Sequence, residues 1–185
     1  MSTTERFPPL PPEALTPEQR AVAQAILSGP RGQIQGPFNV LLRAPGVADP
    51  VQRLGAHLRF AGSLDPALRE IAILTVARHW AAQFEWFAHH PIAASAGVSL
   101  EALERLRLGR DPEFADQGQQ LAWRASVRVL RDGRLDDGLF AEARTSLGEE
   151  ALVELLVVLG YYTLLSFILN VGRVAVPHPP FEEPG

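Results

Sequence analysis

The chain has 185 residues, 46% of them hydrophobic and 21% charged, with a formal net charge of −4 and no cysteine. That length suits one domain with a substantial core, and the acidic balance leaves no electrostatic footprint for nucleic acid or for an anionic membrane surface. Without cysteine there are no disulfides, thiolate metal ligands or cysteine-based redox and nucleophilic steps; with all 17 basic residues arginine, Schiff-base catalysis is also excluded and anion recognition falls to guanidinium or backbone donors.

Residues 1–15, MSTTERFPPLPPEAL, are proline-rich and read as an extension that is extended over the surface or disordered. They lack the apolar run of a signal peptide, so the expectation is a cytoplasmic protein. Thr16-Pro17-Glu18-Gln19 is a helix start, with Thr as cap, Pro at the first position and Gln three residues on. Gly29-Pro30 stops that helix near Leu27. A loop over Gly32–Pro37 leads to a short helical or turn segment in FNVLLRAPG. Asp49-Pro50 then opens a helix with Val51, Leu54, Leu58 and Ala61 inward, closed by Gly62.

Asp65-Pro66 is a second cap-plus-proline start, with a helix through Arg78. The next helix ends at Gly97, and Ser99 caps a short one over Leu100–Leu108. Glu113 to Arg131 reads as a long amphipathic helix with Leu121, Ala125, Val129 and Leu130 inward, ended by Asp132-Gly133. Asp136–Leu147 is helical, Gly148 interrupts, and Glu149–Val171 is the most apolar helix. Ala151–Val171 is long enough to raise the question of a membrane span. It carries Glu154 and Asn170 and lacks basic flanks, so a buried helix, at a subunit interface for instance, is the expectation. No stretch alternates with period two, and no Asn-Gly hairpin occurs. The fold class is all-α, with 16–176 as one domain and 177–185 as an irregular tail.

Leu68 to Gly97, LREIAILTVARHWAAQFEWFAHHPIAASAG, sets Glu70, Arg78, Glu85 and His89 inside an apolar run. Ionisable groups are costly to bury unless paired, so this is the first place to look for chemistry. Glu85 and His89 are four apart and neighbours on one helical face, where a carboxylate orients an imidazole for acid/base work; an exposed helix-face pair has the same spacing. Glu70 precedes His89 by 19 residues, about 28 Å along one straight helix. It reaches them only if the chain breaks, for which His79-Trp80-Ala81-Ala82 would be the place although no Gly or Pro marks it, or if a second subunit supplies one partner. Otherwise Glu70 is an acid near a helix start complementing the dipole. Arg78 is a structural ion-pair partner or a bidentate carboxylate binder, Trp86 and Phe87 are core or pocket wall, and His90 is solvent-facing or structural. One histidine beside two acids ranks low as a metal site, and no metal is expected. Phosphate loops and nucleophile elbows do not occur.

The segments GPFNVLLRAPG at 36–46, LREIAILTVAR at 68–78, FEWFAHHPIAASAGVS at 84–99 and YYTLLSFILN at 161–170 together resemble the carboxymuconolactone decarboxylase family, which includes the alkyl hydroperoxidase D-like proteins. The resemblance covers most of residues 36–171 and implies an all-α bundle assembled as trimers or hexamers, with sites near subunit contacts. In the family's redox branch a Glu is followed by Cys-x-x-Cys and a His. Counted from Glu70, the cysteine positions hold Ala82 and Glu85 and the histidine position holds His89. With both sulfurs missing, a thiol peroxidase relay cannot operate, and the chain is similar to the cofactor-independent decarboxylase side. That implies loss of CO₂ from a small anionic lactone-type metabolite and protonation at carbon, with no cofactor. His89 is then the proton donor, Glu85 orients it, Glu70 is a relay or second acid, and Arg43 and Arg78 are candidates for anion binding. A non-catalytic oligomeric small-molecule-binding protein of the same fold is the rival reading, and an antioxidant using a partner's thiols ranks last.

Overall fold

The computed structural model describes residues 4–181. Among them the chain forms nine α-helices, one 3₁₀ turn at Pro12–Ala14 and no strand, in keeping with an all-α reading. Chain contacts divide it into two compact units, Met1–Gly62 with Phe167–Ala175, and Ser63–Ser166 with Val176–Gly185.

The first unit contains α1 (Pro17–Ser28), α2 (Pro37–Leu41) and α3 (Pro45–Phe60), with α1 and α2 both packed on α3. Thr16 and Gln19 close the expected capping box, the Thr16 side chain accepting from the Gln19 N–H while the Gln19 side chain accepts from the Thr16 N–H. Helix α3 starts one turn earlier than Asp49-Pro50 suggests, because Pro45 already occupies the favoured first position. Asp49 lies inside the helix and pairs instead with Arg53 at 2.7 Å. The helix ends at Phe60 with Ala61 as its C-cap, directly before Gly62.

The proline-rich segment is tied down where it is described. The Arg6 N–H donates to the Gly172 carbonyl at 2.9 Å, the Ala175 N–H donates to Glu5 at 3.0 Å, and Arg43 donates to the carbonyls of Asn39 and Pro8 at 2.8 and 2.6 Å.

The second unit is built around α4 (Pro66–His79). Asp65 caps it, accepting from the N–H groups of Ala67 and Leu68. Every side chain from Glu70 to Ala77 is buried, which is how a helix apolar on all sides must sit. Packed against it are α5 (Gln83–Ser95), α6 (Leu100–Arg107) and α7 (Gln117–Asp132), with α8 (Asp137–Leu147) beyond α7. Helix α7 begins at Gln117 rather than Glu113. Asp116 is its cap, and the preceding residues are held in a loop by Asp111, which accepts from the Glu113 N–H and from the Gln120 side chain. Its buried face is Leu121, Ala122, Ala125 and Ser126, with Val129 and Leu130 half-buried.

Helix α9 (Glu149–Gly172) is the one helix among the described residues long and apolar enough to cross a membrane by length and composition, and half of its most apolar window is buried within the protein. Glu154, the acid that interrupts its apolar run, accepts from the Leu64 N–H at 2.7 Å. Residues 177–181 are irregular, and Gln83 holds them through two hydrogen bonds with the Phe181 backbone at 2.9 and 3.0 Å. Residues 182–185 lie outside the described part.

Candidate functional site

The site depends on how α4 ends. The Ala81 N–H bonds back to the Arg78 carbonyl and the Ala82 N–H to the Ala77 carbonyl at 2.8 Å. This is the paired pattern of a Schellman C-cap, with Ala81 at the left-handed position at φ 49°. An alanine does here what glycine usually does, so the reversal carries no sequence punctuation. It falls within His79–Ala82, where convergence of the two acids requires it, and α5 returns alongside α4.

That return brings Glu70 of α4 to Glu85 and His89 of α5. His89 Nδ1 lies 2.6 Å from Glu70 Oε2, a charge-assisted distance. Its Nε2 faces Glu85 Oε2 at 3.5 Å, beyond ordinary hydrogen-bond length. All three residues are at most 3% exposed. Arg69 donates from Nε to the other Glu70 oxygen at 3.2 Å, and the Tyr162 ring of α9 stands edge-on to the imidazole, centroids 5.1 Å apart. The set is thus two carboxylates, one imidazole and one guanidinium under an aromatic wall.

Burial alone raises the Glu70 carboxyl, but the hydrogen bond and charge of His89, followed by Arg69, outweigh it and hold the group below its usual range. Glu70 therefore stays ionised at neutral pH and fixes the Nδ1–H form of the ring. On the other side of the ring, Nε2 faces the Glu85 carboxylate across that 3.5 Å gap. An imidazole anchored at one ring nitrogen by a carboxylate, with a second carboxylate beside the other, is an arrangement that can do general acid/base chemistry. The carboxylates approach two different ring nitrogens and do not converge on one point. Among the described residues no group of three or more His, Asp or Glu side chains is arranged to hold a metal ion.

The other sequence candidates lie elsewhere. Trp86 is core: it is buried in the cluster of Ile71, Leu74, Leu103 and Phe114, with Phe181 edge-on at 5.3 Å. His90 tilts against it at 6.0 Å. Arg78, two turns beyond Glu70 on α4, lies over the Phe181 ring at 5.6 Å and against Gly109. Arg43 belongs to the first unit, where its guanidinium serves backbone carbonyls and stands over Phe7. Sequence reasoning missed Arg69 and Tyr162. The adjacency of Arg69 to Glu70, and the hydroxylated aromatic pair Tyr161-Tyr162 within the apolar α9, were the available signals. Compared with models of known protein families and with curated proteins, the chain matches none.

Proposed function

We propose that this chain is a cofactor-independent lyase of the carboxymuconolactone decarboxylase type, acting by general acid/base chemistry on a small anionic, ring-derived metabolite. One observation carries the reading: His89 stands between Glu70 at 2.6 Å and Glu85 at 3.5 Å. The resemblance of residues 68–99 to that family supports it.

In such a reaction the bond to the departing carboxylate breaks, CO₂ leaves, and the electron pair stays on the substrate as a conjugated enolate. A C–H bond then forms with a proton from His89 Nε2. Glu70 stabilises the imidazolium through Nδ1–H, and Glu85 passes a solvent proton back to Nε2.

The burial of all three groups favours a second reading, in which the set is a structural ion cluster in a non-catalytic binding protein. The experiment that separates them is CO₂ release from carboxylated unsaturated lactones by wild type and by His89→Gln. The catalytic reading predicts turnover that falls about 10²-fold or more in the variant. Turnover unchanged in a folded His89→Gln protein contradicts it, and saturable binding without turnover supports the second reading.

The proposed assembly is a homo-oligomer, a trimer or hexamer by the family resemblance. Along α9, Val153, Val157, Leu164, Phe167 and Val171 are exposed at alternating spacings of four and three once Gly160 is counted among them, the seam spacing of a helix that meets another helix. A Cβ at Gly160 would touch nothing within 4 Å, so the middle of that stripe is open to a close approach.

A further inference from the structure

A cleft of about 290 Å³ lies in the second unit on a different side of α4 from Glu70, between that helix, the α6 C-terminus and α7. Arg78 and Arg110 line it, with Trp123, Val127 and Leu130 of α7 and Leu106 of α6 forming its apolar wall. None of the lining residues is acidic. Glu104 is engaged by Arg107 through two contacts of 2.7 Å. Burial pushes His79, also at the cleft, below its ordinary range, so at neutral pH the positive charge there belongs to the two guanidinium groups.

Arg78 is held in a fixed pose. Its guanidinium is over Phe181 on one side, and Gly109, at φ 71°, approaches so closely that a Cβ there would come within 2.9 Å of a terminal nitrogen. Among the described residues the buried Nε has no hydrogen-bond partner. A buried donor left unpaired is destabilising, and an aromatic platform with a glycine-sized gap is an unusual amount of local structure for an arginine whose Nε has no acceptor among the described residues. A carboxylate entering the cleft would give Nε and a terminal nitrogen the bidentate partner their geometry suits, while its apolar body would meet Trp123, Val127 and Leu130.

We infer that the cleft between α4, α6 and α7 is a binding site for a small carboxylate with an aromatic or alicyclic body, anchored by Arg78 and Arg110 and separate from the His89 set. The site goes beyond the proposed chemistry and does not rest on it, since none of its residues belongs to that set.

The test uses the full chain titrated with benzoate, cyclohexanecarboxylate, benzamide and inorganic sulfate, followed by calorimetry and by tryptophan fluorescence. Both carboxylates should bind saturably at one per chain, with benzamide and sulfate at least tenfold weaker. Arg78→Met should lower benzoate affinity tenfold or more. Arg110→Ala, at an exposed rim position that does not threaten folding, should lower it severalfold. Trp123→Phe should abolish the fluorescence change, and His89→Gln should leave affinity unchanged. Absence of saturable carboxylate binding would overturn the assignment, as would sulfate binding as tightly as benzoate or full affinity in both arginine variants. Loss of binding in His89→Gln alone would move the ligand to the other site and equally overturn it. Because the His89→Gln arm reads binding and not turnover, failure of the lyase proposal leaves this result intact.

Discussion

Glu70 and His89 are 19 residues apart in the chain and 2.6 Å apart in space. The relationship exists because α4 stops at His79 and α5 begins at Gln83, folding about 28 Å of helical path back upon itself through an alanine in the left-handed conformation. The two ends of the relationship stabilise one another: the imidazole keeps a buried carboxylate ionised, and the carboxylate fixes which ring nitrogen carries the proton.

Removing the ring should therefore cost more than removing the same volume of apolar side chain. His89→Ala leaves two acids buried without their shared partner, and breaking a buried pair in this way is destabilising by about 3–5 kcal/mol. His89→Gln, which keeps a donor near Glu70, should lose less than half of that. Urea unfolding of both variants against wild type measures the difference; equal, small losses would mean that water already reaches the acids.

Stability should fall in acid through Glu70 in particular. Its carboxyl is lowered in the folded protein from an ordinary value of 4.5, so the unfolded chain takes up the proton first as pH drops. The contribution is fully present above about pH 4.5 and disappears as pH falls through the lower folded value. Glu70→Gln should lack this component. The difference in unfolding free energy between wild type and Glu70→Gln, measured from pH 7 to pH 3, should shrink below pH 4.5; a constant difference would show that the charge is not involved.

At the reversal, Ala81 is a non-glycine residue at φ 49°. The left-handed conformation is disfavoured for alanine by about 1–2 kcal/mol, partly offset in a glycine variant by greater freedom of the unfolded chain. Ala81→Gly should raise stability by about 0.5–1 kcal/mol and leave the Glu70–His89 contact in place. A loss of stability in thermal unfolding would show that the alanine methyl makes contacts that matter more than its backbone strain.

The exposed α9 stripe makes the assembly testable. Light scattering coupled to size-exclusion chromatography should give a multiple of the 20.2 kDa chain mass, and Leu164→Glu should reduce it toward a single chain without loss of helicity by circular dichroism. A wild-type protein that runs as one chain at micromolar concentration would remove the oligomer from the account.

Much of the fold was legible because local chemistry announced it. Thr16 with Gln19, Asp65 with Pro66, Ser99 and Asp136 all cap the helices whose starts they mark. The errors came where one signal had a competitor. Asp49-Pro50 has the form of a helix start, but Pro45 provides an earlier one, and Asp49 turns to Arg53. Glu113 has helix-forming character, yet Asp111 and Gln120 hold its neighbourhood in a loop.

Within the site, the four-residue spacing of Glu85 and His89 was readable from helical geometry. The approach of Glu70 was readable only as a condition on a break that nothing in the local residues required. Arg69 and Tyr162 left only weak signals for a related reason: whether an adjacent side chain or a tyrosine four helices on reaches the Glu70–His89 pair is decided by packing, not by spacing. Arg78 stood out as a charge in an apolar run, but its surroundings depend on Gly109 and Phe181, far from it in sequence.

The most direct measurement of the central claim is nuclear magnetic resonance of the chain labelled with ¹⁵N at histidine. The account predicts an Nδ1-bound His89 proton at unusually low field, slow to exchange with water, that disappears in Glu70→Gln and shifts in Glu85→Gln. A His89 ring bare at Nδ1, or a ring proton exchanging at the solvent-exposed rate and indifferent to both substitutions, would contradict it.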